Sequence, residues 1–143
     1  MAESLTRGEL DERVKGALAK GGVIDITTTG RRSGRPRRIE VVFRNIDGRI
    51  YISGTPSPRR RSWLANLDAR LELTVHLKGP VRADLPAHAR IIEDESERRR
   101  ILAPIALSWR RNDSGLWADE ARPGFETMVR MSPLIELTLD RAA

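Results

Sequence analysis

Residues 71–91 carry the pattern that most constrains the fold. Leu71, Leu73, Val75 and Leu77 alternate with Glu72, Thr74, His76 and Lys78. Gly79 and Pro80 turn the chain, and Val81, Ala83, Leu85, Ala87, Ala89 and Ile91 then alternate with Arg82, Asp84, His88 and Arg90. A period of two sends one set to one face of a strand and the other set to the opposite face. Two joined strands with one apolar and one charged face belong to an antiparallel sheet that covers a core on one side. A parallel sheet buried on both faces is disfavoured. The small inward residues of the second strand suit a tight barrel wall or a close sheet contact. Pro86 on its outward face predicts an edge position or a bulge.

The remaining elements fit that frame. Residues 23–29 are β-branched, with Ile24 and Ile26 on one face. Ile39, Val41 and Phe43 alternate with Glu40 and Arg44, Asp47 and Gly48 signal a tight turn, and Arg49–Ser53 and Leu134–Leu139 read as two further strands. Thr6 and Glu9 make a capping-box pair before a helix over 7–20, with Leu10, Val14, Ala17 and Leu18 on one stripe and Gly21 and Gly22 as its stop. A second helix is expected over 59–70, with Trp63, Leu64 and Leu67 on one side. Asp94 and Glu97 cap a third over 95–103, which Pro104 should end or kink. Arg98 and Arg99 on that helix read as surface charges balanced by Glu95 and Glu97. Residues 110–131 show no clear period, although Phe125, Met128 and Val129 within them suggest a last short helix. Six strands with short flanking helices make an α+β domain, either a small closed barrel or two packed sheets. The 143 residues suit one domain over 1–143: an N-terminal helix in 1–21, strands and loops in 23–92, helices in 94–131 and the last strand in 132–140.

Composition removes several functions. There is no cysteine, so disulfides, thiolate nucleophiles and thiolate zinc sites are excluded, and only His76 and His88 could offer imidazole to a metal. No apolar run approaches the roughly 20 residues of a membrane span, and the charged opening helix is unlike a signal peptide, so a cytoplasmic protein is expected. The net charge of +6 is not spread evenly. Residues 31–61 hold ten Arg against Glu40 and Asp47, a local +8, and the rest of the chain is close to neutral. Such focusing describes a local anion site or one basic face.

Two motifs lie in that stretch. The segment 27–38 reads Thr-Thr-Thr-Gly-Arg-Arg-Ser-Gly-Arg-Pro-Arg-Arg. Gly30 and Gly34 allow positive φ, so a tight hairpin loop can turn its amides toward a ligand. Ser33 adds a hydroxyl, and Arg31, Arg32, Arg35, Arg37 and Arg38 add guanidinium forks that match phosphate and carboxylate. A solvated hairpin tip competes evenly with that reading. The segment 53–66 leads through Gly54 and Thr55 into a helix whose first turn is expected to hold Arg59, Arg60 and Arg61. Cations there oppose the helix dipole, a local conflict of the kind found at functional positions. Trp63 alone reads as a core anchor, and Asn66 on the same face is a less expected polar residue. His76 and His88 read as surface imidazoles without a role, and Glu40 as a salt-bridge partner of a nearby Arg.

Thr28-Thr-Gly-Arg-Arg-Ser-Gly-x-x-Arg37, a strand ending near Gly54, and Trp63-x-x-Asn66-Leu67-x-Ala69 together resemble the deazaflavin (F420)-dependent nitroreductase family. Its members are F420H2-dependent oxidoreductases related to the pyridoxamine-phosphate-oxidase-like flavoproteins. The resemblance covers residues 20–92 best. It implies a six-stranded antiparallel split β-barrel of the FMN-binding type, in a homodimer. It also implies hydride transfer from reduced F420 to a small organic acceptor such as a quinone, enone or nitro compound. F420 carries a phosphodiester and an oligoglutamate tail, which agrees with the focused charge. By motif position, Arg32, Ser33 and Arg37, with Gly34 between them, would hold the phosphate and tail. Gly54 and Thr55 would line the deazaflavin ring, and Arg60, Arg61, Trp63 and Asn66 would complete the site. The chain departs from the family at Pro56, where a Lys is common, at Glu40 and Val41 in place of Pro-Leu, at Leu71 in place of Pro, and in having Tyr51 as its single tyrosine. No catalytic residue is assigned. Tyr51, Ser53, Thr55, Ser57 and His76 are the candidate proton donors, and no metal is expected.

FMN or another anionic cofactor in the same fold is the nearest alternative. A nucleic-acid-binding module using residues 31–61 is a second. It is disfavoured because only Phe43 and Tyr51 stand among the strand residues there as stacking platforms. A membrane-surface role is disfavoured by Glu9, Asp11 and Glu12 on the first helix.

Overall fold

The computed structural model describes residues 7–110 and 124–140. In chain order the elements are α1 (Arg7–Lys20), β1 (Gly22–Thr29), β2 (Pro36–Ile46), β3 (Arg49–Ser53), α2 (Ser62–Ala69), β4 (Glu72–Lys78), β5 (Arg82–Ile91), α3 (Glu95–Arg110), α4 (Phe125–Met131) and β6 (Leu134–Leu139). The six strands close into an antiparallel barrel in the order β1-β2-β3-β6-β5-β4. The Thr6–Glu9 cap, the Leu10 side chain and the aperiodic stretch 111–123 lie outside the described residues.

Alternation builds the barrel as expected. Ile24, Ile26, Phe43, Ile52, Leu73, Val75, Leu77, Ala87, Ala89, Ile135 and Leu137 form one buried cluster, with Ala83, Leu85 and Ile91 packed against it. Leu64 and Leu67 of α2 join that cluster, and Val14, Ala17 and Leu18 of α1 pack against it. A second cluster lies outside the wall. Tyr51 on the outer face of β3 meets Ile101, Leu102 and Ile105 of α3 and Met128 and Val129 of α4. Asp47 and Gly48 take positive φ at the β2–β3 turn, as the Asp-Gly pair requires. Pro86 sits where β5 outruns β6: pairing with β6 covers only residues 87–91, while the Pro86 carbonyl accepts the Asp140 N–H. Its missing N–H falls on the same side, opposite Asp140 at the very end of the pairing with β6, so at most one terminal ladder bond is lost.

Three expectations are corrected. Helix α2 begins at Ser62, and Arg61 is its extended N-cap, so Arg59, Arg60 and Arg61 precede the helix. They still face the positive end of the helix dipole, with Arg61 as the N-cap, and no acidic residue in the first turn offsets them. Helix α3 runs on through Pro104 to Arg110. Ile101, Leu102, Ile105 and Ala106 are all buried on one side of it, and this continuous apolar face outweighs the lost backbone hydrogen bond. Glu40 pairs with Lys78 of β4, not with an Arg, because Lys78 reaches across Asp25 of the intervening strand β1. No helix among the described residues is long and apolar enough to cross a membrane.

Candidate functional site: a cationic hairpin cleft

The β1–β2 loop is built around its two glycines. Gly30 N–H donates to the Arg35 carbonyl and Gly34 N–H to the Gly30 carbonyl, each at 2.8 Å. Gly34 has φ +70°, and a Cβ on Gly30 would lie 2.6 Å from Ser33 Oγ. Ser33 Oγ accepts the Arg35 N–H at 3.1 Å. The amides of Arg32 and Ser33 make no hydrogen bond within the described chain.

Asn66 fixes this loop to α2. It is 6 % exposed. Its Oδ1 accepts the Arg31 N–H at 3.1 Å and its Nδ2 donates to Thr28 Oγ1 at 3.2 Å. The polar residue that looked out of place beside Trp63 is therefore a latch between strand, loop and helix. The result is a cleft of about 340 Å³ lined by Thr28, Gly30, Arg31, Arg32, Ser33, Arg37, Ile39, Ser62, Trp63 and Asn66. No carboxylate pairs with Arg31, Arg32, Arg35 or Arg37 among the described residues, whereas Arg38 is held by Asp25 at 2.9 Å. Helix α2 has no side-chain cap, so the amides of its first turn, next to Ser62 and Trp63, add partial positive charge.

Of the ten positions singled out in the sequence, Arg32, Ser33, Arg37, Trp63 and Asn66 come together in this cleft. Gly34 shapes the loop without lining it. Arg60 and Arg61 line a second cleft, with Arg60 held by Asp68 at 2.5 Å and by Glu93 at 3.7 Å, and Arg61 bonded to the carbonyl and hydroxyl of Thr55. Gly54 lies against the second cleft without lining it: a Cβ there would come within 3.2 Å of Pro133 and 3.7 Å of Arg61. Arg31, Thr28 and Ser62 line the hairpin cleft and were not singled out as site residues. The loop pattern pointed to Arg31, but the inward turn of Thr28 and the start of α2 were not legible in the sequence.

The expected proton donors are dispersed. Tyr51 is buried under α3 and α4, Thr55 Oγ1 is taken by Arg61, and Ser57 Oγ donates to the Arg59 carbonyl at 2.6 Å. His76 is not a free surface imidazole. It bonds Thr27 Oγ1 at 2.6 Å and Asp84 Oδ1 at 2.7 Å, and its side chain is 11 % exposed. β4 has a neighbour on either side, so even its outward face is partly covered. His76 holds Asp84 below its ordinary carboxylate pKa. His88 stays exposed and bonds Asp140 at 2.5 Å. Among the described residues no three His, Asp or Glu gather as a metal site.

Solved structures share this architecture. A conserved hypothetical protein from Mycobacterium tuberculosis superposes with a TM-score of 0.63 at 17 % identity, covering 96 % of this chain and 82 % of the other. A putative pyridoxamine 5'-phosphate oxidase from Listeria innocua gives 0.59 at 14 %, covering 93 % and 95 %. An F420-H2 dependent reductase gives 0.52 at 21 %, covering 82 % and 94 %. These likenesses establish the split-barrel fold. No curated protein is similar enough to match. The family model for F420H(2)-dependent quinone reductases matches residues 5–115, and the chain belongs to that family.

Proposed function

We propose that the hairpin cleft is where this chain holds reduced F420, with Arg32, Arg37, Ser33 and the amides of residues 32 and 33 taking its anionic part. The family fixes the reaction class: F420H2 supplies a hydride to an acceptor. The observation that carries the assignment is a set of guanidinium groups without carboxylate partners, gathered with unpaired amides beside a half-buried indole. A phosphodiester and several carboxylates are acceptor-only groups, and these donors match them. Trp63 and Ile39 supply apolar wall, and Asn66 holds loop and helix at a fixed spacing. Hydride transfer needs position and water exclusion more than a strong acid.

Fluorescence titration tests this. Arg32→Ala and Arg37→Ala should each weaken F420 binding by about 1.5–3 kcal/mol, roughly 10- to 150-fold, with unfolding midpoints unchanged. Added salt should weaken it too, because the charges are exposed. Tighter binding of FMN than of F420 would move the assignment to a flavin, and equal loss from the distant Arg82→Ala would favour a diffuse basic face.

We also propose a homodimer. Residues 36–42 of β2 and 82–86 of β5 have a strand partner on one side only, which supports association through the barrel wall. A monomer mass by light scattering at micromolar concentration would reject it.

A further inference from the structure

The start of α2 separates the hairpin cleft from a second cleft of about 340 Å³. Its walls are residues 57–61, the end of β5 with Glu93, Arg98 of α3, and residues 130–134 between α4 and β6. Three features of this cleft share one direction.

The first is Ser132. The residue is 3 % exposed, and its Oγ has no hydrogen-bond partner. Its backbone is satisfied: the N–H donates to the Met128 carbonyl and the carbonyl accepts from Arg98. The hydroxyl alone is left over, and a buried polar group without a partner is destabilising. The second is Arg61, whose Nε is buried without a partner in the same wall. The third is Arg98. It caps α4 and neighbouring chain through the carbonyls of Val129, Ile92, Met128 and Ser132, yet no carboxylate forms an ion pair with it. Those four bonds leave one of the five guanidinium N–H groups unused. Burial holds its pKa below the usual value, with Glu93 as the only opposing charge. Arg59 adds a cation at the rim with no acidic partner among the described residues, and Arg130 a second, whose acidic neighbour Glu126 is itself ion-paired with Arg99.

Glu93 is the one carboxylate in the lining and it is paired with Arg60, so over the cleft as a whole donors exceed acceptors. Water would bring as many donors as acceptors and would leave the excess in place. An oxyanion brings acceptors only. The remaining lining, Leu64, Ile92 and Leu134 among it, is apolar and suits a hydrocarbon body behind the charged group. We infer that this cleft is a second, separate binding site for a small organic oxyanion, a carboxylate with an apolar body, held by Arg59, Arg130 and Ser132 Oγ. The inference stands whichever cofactor occupies the hairpin cleft.

Calorimetry on the full chain, with benzoate and inorganic phosphate as probes, tests it. Benzoate should bind saturably at millimolar concentration or below, more tightly than phosphate. Arg59→Ala and Arg130→Ala should each reduce its affinity about tenfold, the effect of losing one charge-assisted hydrogen bond. Ser132→Ala should reduce it several-fold while the unliganded protein melts no lower, because the orphaned hydroxyl is removed. Arg82→Ala, the same charge change on an exposed strand position, should leave binding unchanged. Benzoate should bind equally well with F420 at saturation. Absence of saturable heat, equal loss from Arg82→Ala, or displacement by F420 would each overturn a separate site. Phosphate binding as tightly as benzoate would overturn the apolar body. F420 titration of the same variants reports on the hairpin cleft independently, so failure of one site is distinguishable from failure of the other.

Discussion

Asn66 concentrates more structural consequence than any other polar residue near the hairpin cleft. Alanine there would strip Thr28 Oγ1 and the Arg31 N–H of their partner, and both lie close to the barrel wall. Urea unfolding should show a loss of about 1–3 kcal/mol, the cost of leaving buried polar groups unpaired. F420 affinity should fall as well, because the loop is no longer fixed to α2. This double effect separates Asn66 from Arg37, whose loss should touch binding alone. Arg98 teaches the opposite lesson. The spacing of charges around it suggested a balanced surface residue, but Glu97 bonds Arg90 instead, and Arg98 turns inward to four carbonyls. Arg98→Ala should therefore cost at least about 1.5–3 kcal/mol in the same unfolding experiment, since bonds to a charged donor are lost inside the α3–α4 contact. Sequence cannot distinguish an arginine that faces water from one that caps a helix end thirty residues away.

Elements were legible where a period or a local cap defines them. The alternation from Leu73 to Ile91 gave both strands and their inward faces, whereas Leu71, expected on the same face, lies outside β4 and is exposed; the Asp94–Glu97 pair gave the start of α3, where Asp94 Oδ2 accepts the Glu97 N–H at 2.9 Å. Asp94→Ala should lower stability by about 0.5–2 kcal/mol, the usual worth of such a cap, and leave F420 binding intact. A normal melting temperature for this variant would show that α3 is held by packing alone. Elements were illegible where tertiary contacts override local preference. Arg59, Arg60 and Arg61 have good helix propensity, yet Ser57 N–H bonds the Met131 carbonyl and Arg61 reaches back to Thr55, so the chain stays extended until Ser62. Pro104 likewise loses to the buried face of α3. The candidate site shows the same division. The glycine-framed loop and its cations could be read from the chain, while the splitting of the arginines between two clefts depends on where α2 begins.

At the scale of the whole molecule, charge that does not serve a cleft ties elements together. Asp25 of β1 bonds Arg38 of β2 and Lys78 of β4, Glu97 of α3 and Glu136 of β6 both hold Arg90 of β5, and Glu126 of α4 holds Arg99 of α3. Lys78 and then Arg38 hold Asp25 below its ordinary carboxylate pKa, Arg90 does the same for Glu97, and Arg99 for Glu126. A carboxylate whose pKa is lower folded than unfolded contributes stability that is complete above the unfolded pKa, near 3.9–4.3. That contribution is lost as pH falls through the lower, folded value. The partners shift the other way: Asp25 raises Lys78, and Glu126 raises Arg99, so their contribution persists until strongly alkaline pH. Melting temperature should therefore be flat from about pH 5 to 8 and fall steadily below about pH 4. Protonating the 20 acids would also leave 26 cations without counter-charge, and that general repulsion is screened by salt. Asp25→Asn separates the two causes. The variant should melt lower than the parent at pH 7, and the gap should narrow below the unfolded carboxylate range and close only once pH has fallen through the lowered, folded-state pKa of Asp25. Repulsion alone would also close the gap on acidification, but it would let salt remove the gap at pH 7, whereas a gap that survives salt belongs to the pairing of Asp25 with Lys78 and Arg38.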